Sequence, residues 1–194
     1  MLTRLKVSGF KNLHDVDVRF GPFTCVLGPN GVGKSNIFDA IAFLCAMADK
    51  PLAEAAALVR GSEGRIGDVR SLFRTSGADR VDTMRLEAEM VVPSTGADDL
   101  GSPAKASMTF LRYGLTLRHR TGVSPLGPLE IVDESMKHIN RGEANKALGF
   151  KNSKAWRDDV IGLPGVPEGR RRRPMGEGAR AVPSRDDRVS GALS

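Results

Sequence analysis

Leu5 and Val7 alternate with Arg4, Lys6 and Ser8, and Val16, Val18 and Phe20 alternate with Asp17 and Arg19. A period of two on either side of Gly9 to Asp15 predicts two half-buried strands that open the chain as an antiparallel pair. Gly21-Pro22 turns the chain into Phe23-Thr24-Cys25-Val26-Leu27, an almost unbroken apolar run that predicts a central strand covered on both faces. From Lys34 the period lengthens. Ile37, Ile41, Leu44, Cys45 and Ala48 recur at helical spacing and predict a helix of about three to four turns. Asp49 reads as the N-cap of a second helix, with Pro51 near its first position, Leu52, Ala55, Ala56 and Val59 on one face, and Gly61 at its end.

Gly61 to Gly67 reads as a loop, and Ser76-Gly77 as a turn after Ser71-Leu72-Phe73. Met84, Leu86, Ala88 and Met90 alternate with charged residues as a strand, and Pro93 to Pro103 is a polar connection. Ala106–Arg112 and Leu115–Arg120 read as two strands joined by a tight turn at Tyr113-Gly114. Leu129 to Val132 is a further strand, and Glu134 to Leu148 has patchy helical character. The order of elements predicts an α/β domain with a mixed sheet and an antiparallel set of strands, ending near Ile161. Residues 162–194 are rich in Gly, Pro and Arg, nearly lack large apolar side chains and follow neither period. Such a segment cannot offset the entropy of ordering it, so it reads as a disordered tail or a frameshifted or artificially terminated end.

Composition adds little to that outline. No apolar run approaches the roughly 20 residues that span a bilayer, and the first six residues alternate where a signal peptide needs an apolar core. The chain therefore reads as cytoplasmic, with no membrane partner. Cys25 and Cys45 sit among apolar neighbours and read as buried free thiols. About half of the net charge of +6 falls in the tail, where Arg170 to Arg173 form a run. That run suggests an alternative function as a basic nucleic-acid-binding module. His14, His119 and His138 are scattered, with no ligand spacing among them.

Specific chemistry enters at Gly28-Pro29-Asn30-Gly31-Val32-Gly33-Lys34-Ser35, which satisfies the pattern of Gly, four residues, Gly-Lys and Ser or Thr. Glycines at 28, 31 and 33 let the backbone curl around phosphate oxygens, so that successive N–H groups form an anion nest. The helix that begins there aims the positive end of its dipole at the same charge. Lys34 is positioned to reach the β and γ phosphates, and the Ser35 hydroxyl to ligate Mg²⁺. An apolar strand before the loop and a helix after it are the context that this phosphate loop requires, so ATP with Mg²⁺ is the expected ligand.

Leu5-Lys6-Val7-Ser8-Gly9-Phe10-Lys11-Asn12, a strand, Gly21-Pro22, an apolar run and the loop through Asn36 together resemble the N-terminal lobe of SMC/RecF-like, ABC-class AAA family ATPases. Asn30 and Asn36 are typical of that group, and Leu72-Phe73-Arg74-Thr75-Ser76-Gly77 with Val81 to Val92 resembles the segment after its first helices. The resemblance implies a P-loop NTPase, ABC-ATPase-like N-terminal lobe over residues 1–161. It also implies that Lys11 and Asn12 contact the nucleotide's phosphates or base. In the intact family two heads form a head-to-head homodimer around ATP and couple hydrolysis to DNA maintenance, DNA repair or antiphage defence, with DNA or a nuclease as partner. Hydrolysis in that class needs a Walker B strand and a signature loop. The candidates are Leu129-Glu130-Ile131-Val132-Asp133-Glu134, interrupted by Pro128 and Glu130, and Val189 to Ser194, with no helix after it. The chain contains no glutamine, although ABC heads place one near the metal. The resemblance thus implies an ATPase, but these residues carry nucleotide binding without an evident catalytic carboxylate. A complete small P-loop kinase or GTPase would need its own metal-binding Asp, and none stands out.

Overall fold

The computed structural model describes residues 1–59, 69–76, 79–97, 100–120 and 128–162. Gly61 to Gly67, the Arg170–Arg173 run, the Val189–Ser194 candidate and the rest of the tail lie outside these residues.

Five strands form one sheet in the order β2-β1-β5-β8-β9. They are β1 (Leu2–Ser8), β2 (Val16–Arg19), β5 (Thr83–Val91), β8 (Phe110–His119) and β9 (Leu129–His138). The expected opening pair is present, with Leu5 opposite Val18 and Val7 opposite Val16, and β1 also pairs with β5. Every described pairing is antiparallel. Two small ribbons, β3 (Thr75–Ser76) with β4 (Asp79–Arg80) and β6 (Thr95–Ala97) with β7 (Pro103–Lys105), decorate the sheet.

The main core gathers Leu5 and Val7 from β1, Met84 and Leu86 from β5, and Leu115 and Leu117 from β8. Ala40, Phe43 and Ala46 join it from α1 (Lys34–Asp49), and Ala55 and Ala56 from α2 (Leu52–Leu58). Phe10 stacks on Phe43 with centroids 6.1 Å apart. Burying each such ring or aliphatic side chain contributes about 1.5–3 kcal/mol. A second core holds Val91, Phe110, Ile139, Ala144, Leu148 and Ile161, with α3 (Arg141–Ala147) and α4 (Lys154–Val160) over it. Trp156 meets Phe150 edge-on at 5.7 Å and anchors α4 to this core. Thr109 fastens the end of α4, donating to the Val160 carbonyl at 2.6 Å and accepting from the Gly162 N–H at 2.8 Å.

Several expectations are corrected. Tyr113-Gly114 is no turn but the middle of a single ten-residue strand, with Tyr113 between Ala88 and Met136, and Gly114 between Glu87 and Ser135. Ladder pairing on both sides outweighs the local turn preference. Gly114 serves close approach instead, since a Cβ there would lie 3.0 Å from Ser135 Oγ. Glu134 to His138 continues β9 rather than starting a helix, and the helix is confined to Arg141–Ala147. Asp49 ends α1, and Pro51 occupies the cap position of α2.

Phe23–Leu27 departs furthest from its expected structure: it belongs to no strand, and Phe23 and Leu27 are 88% and 85% exposed. Cys25 and Cys45 are likewise exposed. The buried face of α1 runs through Ala40, Phe43 and Ala46, whereas Cys45 and Ala48 of the expected stripe face solvent beside Phe38. This helix is apolar nearly all round, and only part of its circumference is covered by the described residues. No described helix is long and apolar enough to cross a membrane.

Candidate nucleotide-binding site

Three residues of the loop depend on being glycine for conformation. Gly28, Gly31 and Gly33 have φ of 155°, 84° and 101°, within a range that L side chains rarely adopt. A Cβ on Gly31 would meet nothing within 4 Å, so the space beside the loop is open there. Gly33 is buried and caps α1 without a side-chain hydrogen bond, and the first turn of α1 carries no acidic residue. The first N–H groups of a sixteen-residue helix thus face the loop with no side chain capping them. Lys34 folds back, its Nζ donating to the carbonyls of Gly28 at 2.7 Å and Pro29 at 2.5 Å, and so draws the two ends of the loop together. Ser35 is exposed at the start of α1, as are Asn30 and Val32 in the loop.

The β1–β2 turn supports the loop from one side. Asn12 Nδ2 donates to the Gly31 carbonyl at 3.2 Å, and Asn36 Nδ2 donates to Asn12 Oδ1 at 2.7 Å, so Asn12 joins the loop to the first turn of α1. Lys11 turns elsewhere. Its ammonium donates to Asp39 Oδ2 and to the Val59 carbonyl, both at 2.6 Å, bracing α1 against the end of α2. It achieves this from a left-handed backbone, φ 48°, held by its N–H bond to the Leu72 carbonyl at 2.7 Å. Among the residues expected at the site, Gly28 to Ser35, Asn36 and Asn12 come together, whereas the charge of Lys11 is engaged by α1 and α2. Asp39 was not singled out from sequence; its only signal is an acid within the otherwise apolar stretch from Ile37 to Ala48.

The other candidate segments carry different structure. Leu129–Glu134 lies in the edge strand β9, with Ile131, Val132, Asp133 and Glu134 exposed. A Walker B segment would instead be a buried parallel strand. Glu134 accepts a hydrogen bond from the Tyr113 hydroxyl at 2.7 Å, and burial, then this bond, pushes the Tyr113 pKa up to about 12. Among the described residues no group of three or more His, Cys, Asp or Glu is arranged to hold a metal.

Residues 1–80 match the family described as the RecF/RecN/SMC N-terminal domain. An OLD nuclease from Thermus scotoductus is 51% identical over 41 residues, 21% of this chain and 8% of that protein. The DNA replication and repair protein RecF of Magnetococcus marinus is 43% identical over 60 residues, 30% of this chain and 16% of the relative. The structural maintenance of chromosomes protein 1 of Schizosaccharomyces pombe is 49% identical over 45 residues, covering 22% and 4%. The match thus spans under a fifth of the length of each of these relatives. A chain from structural work on ATP-driven dimerization and DNA-stimulated activation of SMC ATPases aligns at 20% identity over 75% of this chain and 76% of that one, with a TM-score of 0.41. Residues 1–80, with their glycine loop set at the start of α1, are thus similar to the RecF/RecN/SMC N-terminal domain.

Proposed function

We propose that residues 1–161 act as the ATP-binding lobe of an SMC/RecF-type head, with Gly28 to Ser35 as the phosphate cradle and Asn36 and Asn12 as its supports. The observation that carries this reading is the glycine loop, with positive φ at Gly28, Gly31 and Gly33, that leads into the uncapped N-terminus of α1. Backbone N–H groups of the loop and of the first helical turn would hold phosphate oxygens, and the dipole would favour their charge. Lys34 would add a point charge at the β and γ phosphates, and Ser35 is the residue to hold Mg²⁺, which when bound neutralises charge bridging them. Lys11 acts one step back, fixing the height of α1 through Asp39 rather than touching the nucleotide.

Among the described residues every strand pairing is antiparallel, so none supplies a Walker B strand, and the surface near the loop is consistent with a further neighbour. Phe23, Leu27, Val32 and Phe38 are exposed large apolar side chains clustered in sequence around the loop. We infer that a further segment, carrying the Walker B carboxylates and joining Phe23–Leu27 as a strand, completes the head. Two completed heads would then associate face to face around ATP, with DNA or a nuclease partner as the object of the cycle and DNA repair or antiphage defence as its setting.

Binding of a fluorescent ATP analogue tests the reading. Lys34→Ala should remove most of the affinity with the circular dichroism unchanged, and Ser35→Ala should remove the strengthening by Mg²⁺. The parent should hydrolyse ATP no faster than Lys34→Ala at any protein concentration. Equal ATP affinity in parent and Lys34→Ala would defeat the cradle, and turnover lost only in that variant would reveal an overlooked carboxylate, with Asp133 and Glu134 the first to replace.

A further inference from the structure

The two edges of the main sheet differ. β2 is four residues long, and its Arg19 lies against Gly149 and donates to the carbonyls of Lys146 and Ala147 at the end of α3. β9 is ten residues long, and among the described residues no further strand pairs with its outer side. The helix that follows β9, α3, turns back under the sheet to reach Arg19 and so runs away from that side.

Hydrogen bonding to β8 fixes which groups of β9 point outward. The Ile139 N–H donates to the Phe110 carbonyl at 2.8 Å, and the register runs from Leu111 opposite His138 to Thr116 opposite Asp133. Backbone groups along an antiparallel strand alternate between its two sides. Asp133, Ser135 and Lys137 therefore bond inward to β8, whereas the N–H and C=O groups of Glu134, Met136 and His138 point away from it. Val132 has no partner, since Leu117 already pairs with Ile131, and this bulge ends the regular outer ladder. Met136, in the middle of the outward set, is 59% exposed and shares a face with Tyr113.

Charge along this stretch is complementary to itself read backwards. Asp133 and Glu134 come first, Lys137 and His138 last, and Asp133, Glu134 and Lys137 are exposed. An in-register parallel copy would set acid beside acid, whereas an antiparallel copy sets each acid near a basic or imidazole side chain. We propose that β9 pairs with β9 of a second copy of this chain, antiparallel about a two-fold axis at Met136. That register uses all three outward residues, with Met136 opposite Met136 and Glu134 opposite His138 on either side. The two methionines cover each other, and on the other face Asp133 lies diagonal to Lys137 of the second copy. Centring on Ser135 would use only Glu134 and Met136, because His138 would then meet the bulge at Val132. Both copies use the same edge, so the assembly closes at two. The edge shares no residue with the glycine loop, so this dimer needs no ATP and is distinct from a face-to-face pair of heads.

Sedimentation of the full chain without nucleotide tests the proposal, with Phe23→Asp present throughout to keep the exposed run near the loop from contributing. A reversible monomer–dimer equilibrium with no larger species is expected. Met136→Pro removes an N–H that β8 does not use, a placement that edge strands tolerate. It should weaken the dimer roughly tenfold or more, since each copy loses a donor to the other, and leave the circular dichroism of the monomer unchanged. Charge reversal decides the matter even if Met136→Pro does not fold. Asp133→Lys and Lys137→Glu should each weaken the dimer severalfold, and the two together should restore it to within about twofold. A chain that stays monomeric up to about 1 mM would overturn the proposal, including one in which residues 163–194 cover the edge instead. So would a dimer indifferent to all of these substitutions, which would put the contact on another surface.

Discussion

Replacing Gly33 by alanine tests the loop and its support together. The backbone there has φ 101° and ψ 11°, and a left-handed conformation costs an L residue about 1–2 kcal/mol. The new Cβ would also lie 2.6 Å from Asn12 Oδ1, 3.1 Å from Asn12 Nδ2 and 3.1 Å from Leu13 Cδ2. Asn12 is exposed, so its amide can swing away, but only by giving up its bonds to Gly31 and Asn36. Two such bonds, one of them long, contribute about 0.5–1.5 kcal/mol each at most. Gly33→Ala should therefore cost about 2–4 kcal/mol in urea unfolding. In an Asn12→Ala background the same change should cost only the backbone strain and the contact with Leu13, about 1–2 kcal/mol. The difference is a coupling energy of about 1–2 kcal/mol. Gly31→Ala is the internal control, since φ is 84° but nothing lies within 4 Å of its added Cβ. It should show the strain alone and no coupling to Asn12 beyond about 0.5 kcal/mol. Additive costs for Gly33→Ala and Asn12→Ala would refute the described contact between Asn12 and the loop.

Three further outcomes follow from other parts of the structure. Truncating a buried Phe to Ala costs about 3–5 kcal/mol, but Phe23→Ala should change the stability of this chain by less than about 0.5 kcal/mol, because the ring is exposed; a large loss in thermal unfolding would show that the segment packs. Tyr113 is the only tyrosine in the chain, so phenolate absorbance reports it alone, and the midpoint should fall at about 12. Its neutral form is favoured in the fold, so that contribution to stability is full below the ordinary value of 10.0 and is lost as pH rises through about 12; Glu134→Gln should lower the midpoint. The hydrogen bond from Arg4, and secondarily its charge, holds the Asp17 carboxyl below its usual range. That contribution is present above the ordinary carboxylate pKa and is lost as pH falls through the lowered value. As the pair is partly exposed, Asp17→Asn should flatten the acid limb of a stability profile by no more than about 1 kcal/mol.

The parts of the molecule legible in its sequence are those whose physics is local. The glycine loop needs particular residues at fixed spacing within eight positions, and β1, β2 and β5 announce themselves by alternation against a single core. Features set by distant partners were not legible. Tyr113-Gly114 has the local composition of a turn, and only pairing with β5 and β9 keeps it extended. The buried stripe of α1 could not be chosen from a helix that is apolar on most sides. Lys11 next to Asn12 gave no hint that one would support the loop and the other reach Asp39, since that choice depends on how the turn sits against α1. The outward side of β9 is invisible without register, because which of its backbone groups face away depends on pairing with β8.

The unpaired run from Phe23 to Leu27 also governs how the isolated chain behaves at high concentration. Four of these five consecutive uncharged residues are exposed, Val26 being half-buried, and none lies in a strand, so the run can serve as a template on which a second copy adds as a strand. Pro22 and Pro29 bracket the run, and neither can donate to a ladder, so any such zipper is limited to the few residues between them. The consequence is colloidal: light scattering should rise steeply with concentration, and a charge introduced at Phe23 or Leu27 should suppress it without changing the fold.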